Sequence, residues 1–146
     1  MKIKKLLLLV FFAGALTPTF QSCKVMQGVQ IVSPFNADLV KDINSLAMQY
    51  DLFSVTIEQA TDKSYDTYAA DYASMEVLSN SIVARVDAMP KSGLMLKQAN
   101  LVHDVVLQYK DYHKTKIKIN NSEIRTNRIY FKDIVKPLFV SSMALK

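Results

Sequence analysis

From Asn36 onward the apolar residues return every three or four positions. Leu39, Ile43, Leu46, Tyr50, Phe53 and Ile57 form the first such series, the spacing of a helix with one buried face. It predicts a helix over about residues 36–59, with Asn36, just after Pro34-Phe35, as its N-cap. Thr61-Asp62-Lys63-Ser64 marks a turn. Tyr65, Tyr68, Tyr72, Met75, Ser79, Ile82, Val86 and Met89 then hold the same period until Pro90-Lys91-Ser92-Gly93, where proline and glycine break it. A third helix is predicted over about residues 92–115, with Leu94, Leu101, Val105 and Tyr112 as its inner face, widened by Val102, Val106 and Tyr109. The alternating apolar and basic run at 114–119 fits an extended segment as well as a helix end. Asn120-Asn121-Ser122 stops it and caps a last helix that buries Ile124, Phe131, Ile134, Val135 and Leu138. Pro137 should kink or end that helix, because proline removes a backbone donor and clashes with the preceding turn. With only 3 glycines and no Asn-Gly or Asp-Gly hairpin signal, the fold expected is an all-α bundle of about four antiparallel helices.

The first residues follow another pattern. Met1-Lys2-Ile3-Lys4-Lys5 carries charge, and the run from Leu6 to Leu16 is apolar throughout apart from Gly14. That run is too short for a membrane span of about 20 residues and has the shape of a secretory signal. Thr17-Pro18-Thr19-Phe20-Gln21-Ser22 leads from it into Cys23, the only cysteine in the chain. An exported protein with one cysteine has no internal disulfide partner for it.

In these residues the chain resembles bacterial lipoproteins, whose leader ends on a small residue followed by a cysteine that is lipidated on sulfur. The resemblance covers the leader and anchor alone, and Phe20 and Gln21 depart from its commonest residues. It implies a signal peptide over 1–22 and a lipid on Cys23; the residues that follow read as a tether over 23–34 and a bundle domain over 35–146. Several acyl chains, at about 0.8 kcal/mol per buried methylene, hold such an anchor firmly. Lys24 in place of aspartate, and the lack of an acidic cluster after it, imply by the same resemblance the periplasmic face of the outer membrane. The tether contains Val25, Met26, Val29, Ile31 and Val32, and at about 3.3 Å per extended residue it reaches roughly 35 Å.

Charge changes the picture only locally. The whole chain carries a net +5, but three lysines belong to the leader, and from Cys23 onward 15 basic residues face 13 acidic ones. That balance gives no support to a nucleic-acid partner. Residues 23–109 hold 6 basic and 10 acidic side chains, whereas 110–146 hold 9 and 3. Lys110, Lys114, Lys116, Arg125, Arg128 and Lys132 are therefore candidates for contact with an anionic partner, against the plainer reading that they are solvated helix faces.

No catalytic constellation is visible. His103 and His113 are ten residues apart on one predicted helix, about 15 Å along its axis, and cannot share a metal. No serine has a nucleophile-elbow context, so neither an enzyme nor a metal or cofactor is expected. Tyr65, Tyr68 and Tyr72 on one helix, with Tyr109 and Tyr112 on another, offer rings for a glycan or a protein interface. Tyrosines at helical spacing are also ordinary core residues. The function expected is a non-enzymatic, membrane-tethered interaction module with a protein or envelope-polymer partner. One variant is an accessory lipoprotein of an envelope-spanning machine, by analogy with type VI secretion systems. A rival is a glycan- or small-ligand-binding protein.

Overall fold

The caps foreseen in the sequence are made. Asn36 Oδ1 accepts from the Leu39 amide at 3.0 Å and so satisfies a donor that the first helical turn leaves unpaired. At the start of the last helix Asn120 and Glu123 cap one another: the Glu123 amide donates to Asn120 Oδ1 at 3.0 Å and the Asn120 amide to Glu123 Oε2 at 2.9 Å. Asp62 organises the first turn, accepting from the Ser64 amide at 3.0 Å and from the Thr67 hydroxyl at 2.7 Å.

The computed structural model describes residues 36–116 and 118–143. The leader, Cys23 and the tether lie outside the described residues. Four helices follow in order: α1 Ala37–Gln59, α2 Tyr65–Asp87, α3 Gly93–Lys116 and α4 Asn121–Met143. Each is 23 or 24 residues long, about 35 Å at 1.5 Å per residue. Successive helices pack on one another, and α4 packs back on α1, closing a four-membered ring. Asp42 with Arg85, Gln98 with Ser141 and Glu58 with Arg125 show that neighbours run antiparallel. The protein is an all-α antiparallel four-helix bundle.

Its two ends differ. One carries Asn36, the turn at 88–92 and the end of α4. The other carries the turn at 60–64 and residues 118–120, which are joined by an antiparallel bridge between Ser64 and Lys118. Residues 114–116 thus belong to α3, and the extended alternative survives only as that bridge.

The core is filled by side chains, with an aromatic cluster at its centre. Tyr50 stacks on Phe131 at 3.8 Å between ring centroids and 7° between planes, and Phe53 meets Tyr72 edge-on at 4.8 Å. Tyr109 reaches Tyr50 and Tyr72, each at 6.1 Å. Met75, Met89 and Met95 fill the remaining apolar space.

Two expectations are corrected. On α3 the buried set is Met95, Ala99, Val102, Val105, Val106, Tyr109 and His113, whereas Leu94 and Leu101 are 71% and 48% exposed. The helix is rotated from the expected inner face because it offers two overlapping apolar arcs and only one can face α2. Pro137 neither ends α4 nor lies in its core; the helix runs on to Met143. Both Pro137 and Asp133, whose carbonyl loses its helical donor, are exposed, so the missing bond leaves no polar group buried.

Candidate functional site

The five tyrosines separate into core and surface. Tyr68 and Tyr72 are buried: the Tyr68 hydroxyl donates to the Asp62 carbonyl at 3.2 Å, and Tyr72 pairs with His113 at 2.8 Å. Tyr109 is also buried, and its hydroxyl has no hydrogen-bond partner. Burial raises the pKa of all three hydroxyls. Tyr65 is half-buried, stacked on Tyr72 at 5.7 Å with the Lys114 ammonium 5.9 Å from its ring. Of the five, Tyr112 is the most open to solvent, at 38%.

The basic residues act mostly as stitches between helices. Arg128 clasps Asp51 through two bonds of 2.6 and 2.9 Å, and Lys132 reaches the same carboxylate at 2.6 Å. These two cations hold the Asp51 carboxyl well down, at about 2. Arg125 pairs with Glu58 at 2.5 Å, Lys110 with Glu76 at 2.6 Å and Lys116 with Glu123 at 2.5 Å. The basic C-terminal third thus faces carboxylates of its own chain, chiefly on α1 and α2. Partly exposed pairs of this kind contribute at most about 1 kcal/mol each, but they select which helices become neighbours. Lys114 is exposed and touches a ring rather than a carboxylate.

His113 is fully buried. Its Nε2 lies 2.9 Å from the Lys63 carbonyl, which can only accept, so Nε2 carries the proton and Nδ1 accepts from the Tyr72 hydroxyl. Burial pushes its pKa down. His103 lies 2.9 Å from the Ser79 hydroxyl. Among the described residues no group of three or more histidine, cysteine, aspartate or glutamate side chains is placed to hold a metal, and no helix is long and apolar enough to cross a membrane.

The surface feature that stands out is the α3–α4 face. Leu94, Leu101 and Tyr112 lie about 100° around α3 from its buried stripe, and Tyr130 on α4, 52% exposed, lines the same groove as Tyr112. Toward the start of α4 this face deepens into a groove of about 470 Å³ lined by Val105, Gln108, Tyr109, Tyr112, Asn127 and Tyr130, with Ser122, Glu123 and Thr126 along one wall. Glu123 is the hub of that wall. Besides capping α4 it accepts from the Tyr112 hydroxyl and the Lys116 ammonium, both at 2.5 Å, and these bonds hold its carboxyl at about 2.

Tyr130 was not singled out in the sequence, although Ile129-Tyr130-Phe131 carries a signal. Three consecutive residues sweep about 200° of a helix and cannot all face its core. Phe131 is buried, and Ile129 and Tyr130 are exposed. A second groove, of about 440 Å³, lies between α1 and α4 beside the exposed Met48 and Leu52. Comparison of the chain with family models, with curated proteins and with solved structures finds no match.

Proposed function

We propose that this protein is a non-enzymatic, lipid-anchored interaction module of the bacterial envelope. Cys23 carries the lipid, the segment to residue 34 is the tether, and the bundle presents its α3–α4 face to another envelope component at the periplasmic side of the outer membrane. The observation that carries the reading is the second apolar stripe of α3. A helix that already buries one face leaves Leu94, Leu101 and Tyr112 in solvent, and Tyr112 shares a groove with the exposed Tyr130. Exposed apolar and aromatic residues gathered on one face are typical of an interaction surface.

The chain's polarity suits a tether. Asn36 opens α1 at the end that also holds the 88–92 turn, so an anchor before it leaves the opposite end about 35 Å farther from the membrane. Confinement to a surface then raises the module's effective concentration near membrane-bound partners without any new contact.

Two experiments test the halves of this reading. Cys23→Ser should abolish fatty-acid labelling and release the protein from membranes; a label that persists refutes the anchor. A photocrosslinking residue at Leu101 or Tyr112 should trap a defined adduct in cells, and one at the exposed Asp66 on α2 should not. Equal trapping at all three positions would remove the case for this face.

A further inference from the structure

We propose that the outer side of α1 and α4 is a second membrane contact: a basic, apolar face that lies on an anionic phospholipid surface once the anchor has brought the bundle there. The proposal rests on the reading of Cys23 as the anchor and adds the orientation that an anchor alone leaves open. Met48 and Leu52 on α1 are 73% and 67% exposed, and Ile129 and Val140 on α4 are 62% and 56% exposed. Each lies on the side of its helix turned away from the buried stripe. The pairs that Asp51 makes with Arg128 and Lys132 put Met48 and Leu52 level with Ile129.

Charge selects an anionic surface. Arg128 and Lys132 share the single carboxylate of Asp51, which leaves one positive charge over, and Arg125 is balanced by Glu58. Lys41 and Lys136 are exposed and have no carboxylate partner among the described residues; Asp133 is the carboxylate of α4 that no cation meets. In all, α4 carries Arg125, Arg128, Lys132 and Lys136 against Glu123 and Asp133. Diagonally across the ring α2 has the opposite balance, with Asp66, Asp71, Glu76 and Asp87 against Arg85 alone. An anionic surface therefore attracts the α4 side and repels the α2 side, turning the bundle about its long axis.

Apolar side chains that enter the headgroup layer and lysines that meet lipid phosphates are the two contributions to interfacial binding, and this side offers both. A few such groups suffice, because the anchor has already made the second contact intramolecular. The tether joins α1, a helix of this side, at Asn36. Its span of roughly 35 Å lets the bundle swing from standing on its Asn36 end to lying along the bilayer. The α3–α4 face is one step around the four-membered ring. It then points along the membrane, toward partners held in the same plane.

The test uses the lipidated full chain in vesicles of phosphatidylcholine, alone or mixed with phosphatidylglycerol, whose brominated acyl chains quench a fluorophore on contact. Lipidation blocks the native sulfur, so Leu52→Cys, Ile129→Cys or Val77→Cys supplies the single thiol for a label. Labels at positions 52 and 129 should be quenched on the phosphatidylglycerol vesicles and less so at high salt. The label at 77, on the exposed outer side of α2, should not be. Lys136→Glu should lower the ratio of docked to undocked bundle about tenfold, since each basic residue beside an anionic surface is worth about fivefold, and should leave the melting temperature unchanged. Quenching at 52 no greater than at 77, or equal on charged and neutral vesicles, overturns the proposal. Shielding of 52 from a water-borne quencher without bromine quenching gives this side to a second copy or to the tether, and also overturns it. If the chain does not stay with the vesicles, the anchor falls and this contact with it; if it stays while every label remains in water, the anchor stands and this contact alone falls.

Discussion

Replacing His113 by glutamine should flatten the acid limb of the bundle's stability. The imidazole is wholly buried between α2 and the 60–64 turn, donating from Nε2 to the Lys63 carbonyl and accepting at Nδ1 from Tyr72. The rings of Tyr65 and Tyr72 stand 5.9 and 5.6 Å away, the Lys114 ammonium lies over Tyr65, and the Lys63 ammonium bonds the Ala60 carbonyl. Protonating Nδ1 would break the Tyr72 bond and bury a charge with no carboxylate against it. Burial accordingly lowers the folded pKa below its ordinary value of 6.5. As pH falls through that value the unfolded chain takes up a proton that the folded chain resists. This contribution is complete above about pH 6.5 and erodes below it, at up to about 1.4 kcal/mol per pH unit. At about pH 7.5 His113→Gln should cost roughly 1–3 kcal/mol, the consequence of disturbing two buried hydrogen bonds. Urea unfolding followed by far-ultraviolet circular dichroism suits a chain with no tryptophan. The stability gap between wild type and variant should narrow steadily as pH falls from 6.5 to 5. A gap that stays constant over that interval refutes the neutral, proton-resisting assignment.

Three other expectations follow from single contacts. Phe131→Ala removes the partner stacked on Tyr50 at 3.8 Å and should cost about 3–5 kcal/mol in urea unfolding, and a loss below ~1 kcal/mol would show that the stack is not core. Glu123→Ala removes the reciprocal cap of α4 together with the Tyr112 and Lys116 bonds; it should cost about 1–2 kcal/mol and speed amide exchange in the first turn of α4. Lys91 has φ of 59°, a left-handed conformation that glycine adopts freely. Lys91→Gly should therefore raise stability by up to about 1 kcal/mol, measured as a shift in the urea midpoint.

The sequence spoke most clearly where one stripe outran any other on its helix. Every residue of the α1 series from Leu39 to Ile57 is buried, and so is the α2 series from Tyr68 to Met89, whereas the shorter apolar set of Met48 and Leu52 on α1 stays exposed. On α3 two arcs overlap, and the one that carries Leu94 and Leu101 is not the one that is buried. The choice is made by neighbours: Glu76, Ser79 and Tyr72 on α2 engage Lys110, His103 and His113, and those pairings turn Leu94 and Leu101 outward. A scale of hydrophobicity ranks Ala99 and His113 below leucine and cannot see partners 24 to 41 residues away. The charge asymmetry was legible as a count but not as an arrangement, since only the fold shows Arg125, Arg128 and Lys132 facing Glu58 and Asp51. The groove was half legible. Tyr112 was named for its ring, whereas the unpaired hydroxyl of Tyr109 and the position of Tyr130 exist only once α3 and α4 lie side by side.

The contact between the first and last helices has a further meaning for the chain's life. Because α1 rests on α4 across Tyr50 and Phe131, the molecule has no surviving half: a polypeptide arrested before residue 121 bares the aromatic centre of α1 to water. Stacked-repeat proteins lose a unit and keep the rest, whereas a closed circle of helices stands or collapses together. A native interior is thus acquired only when all four helices are present, and an incomplete copy exposes to proteases the very rings that a finished copy conceals.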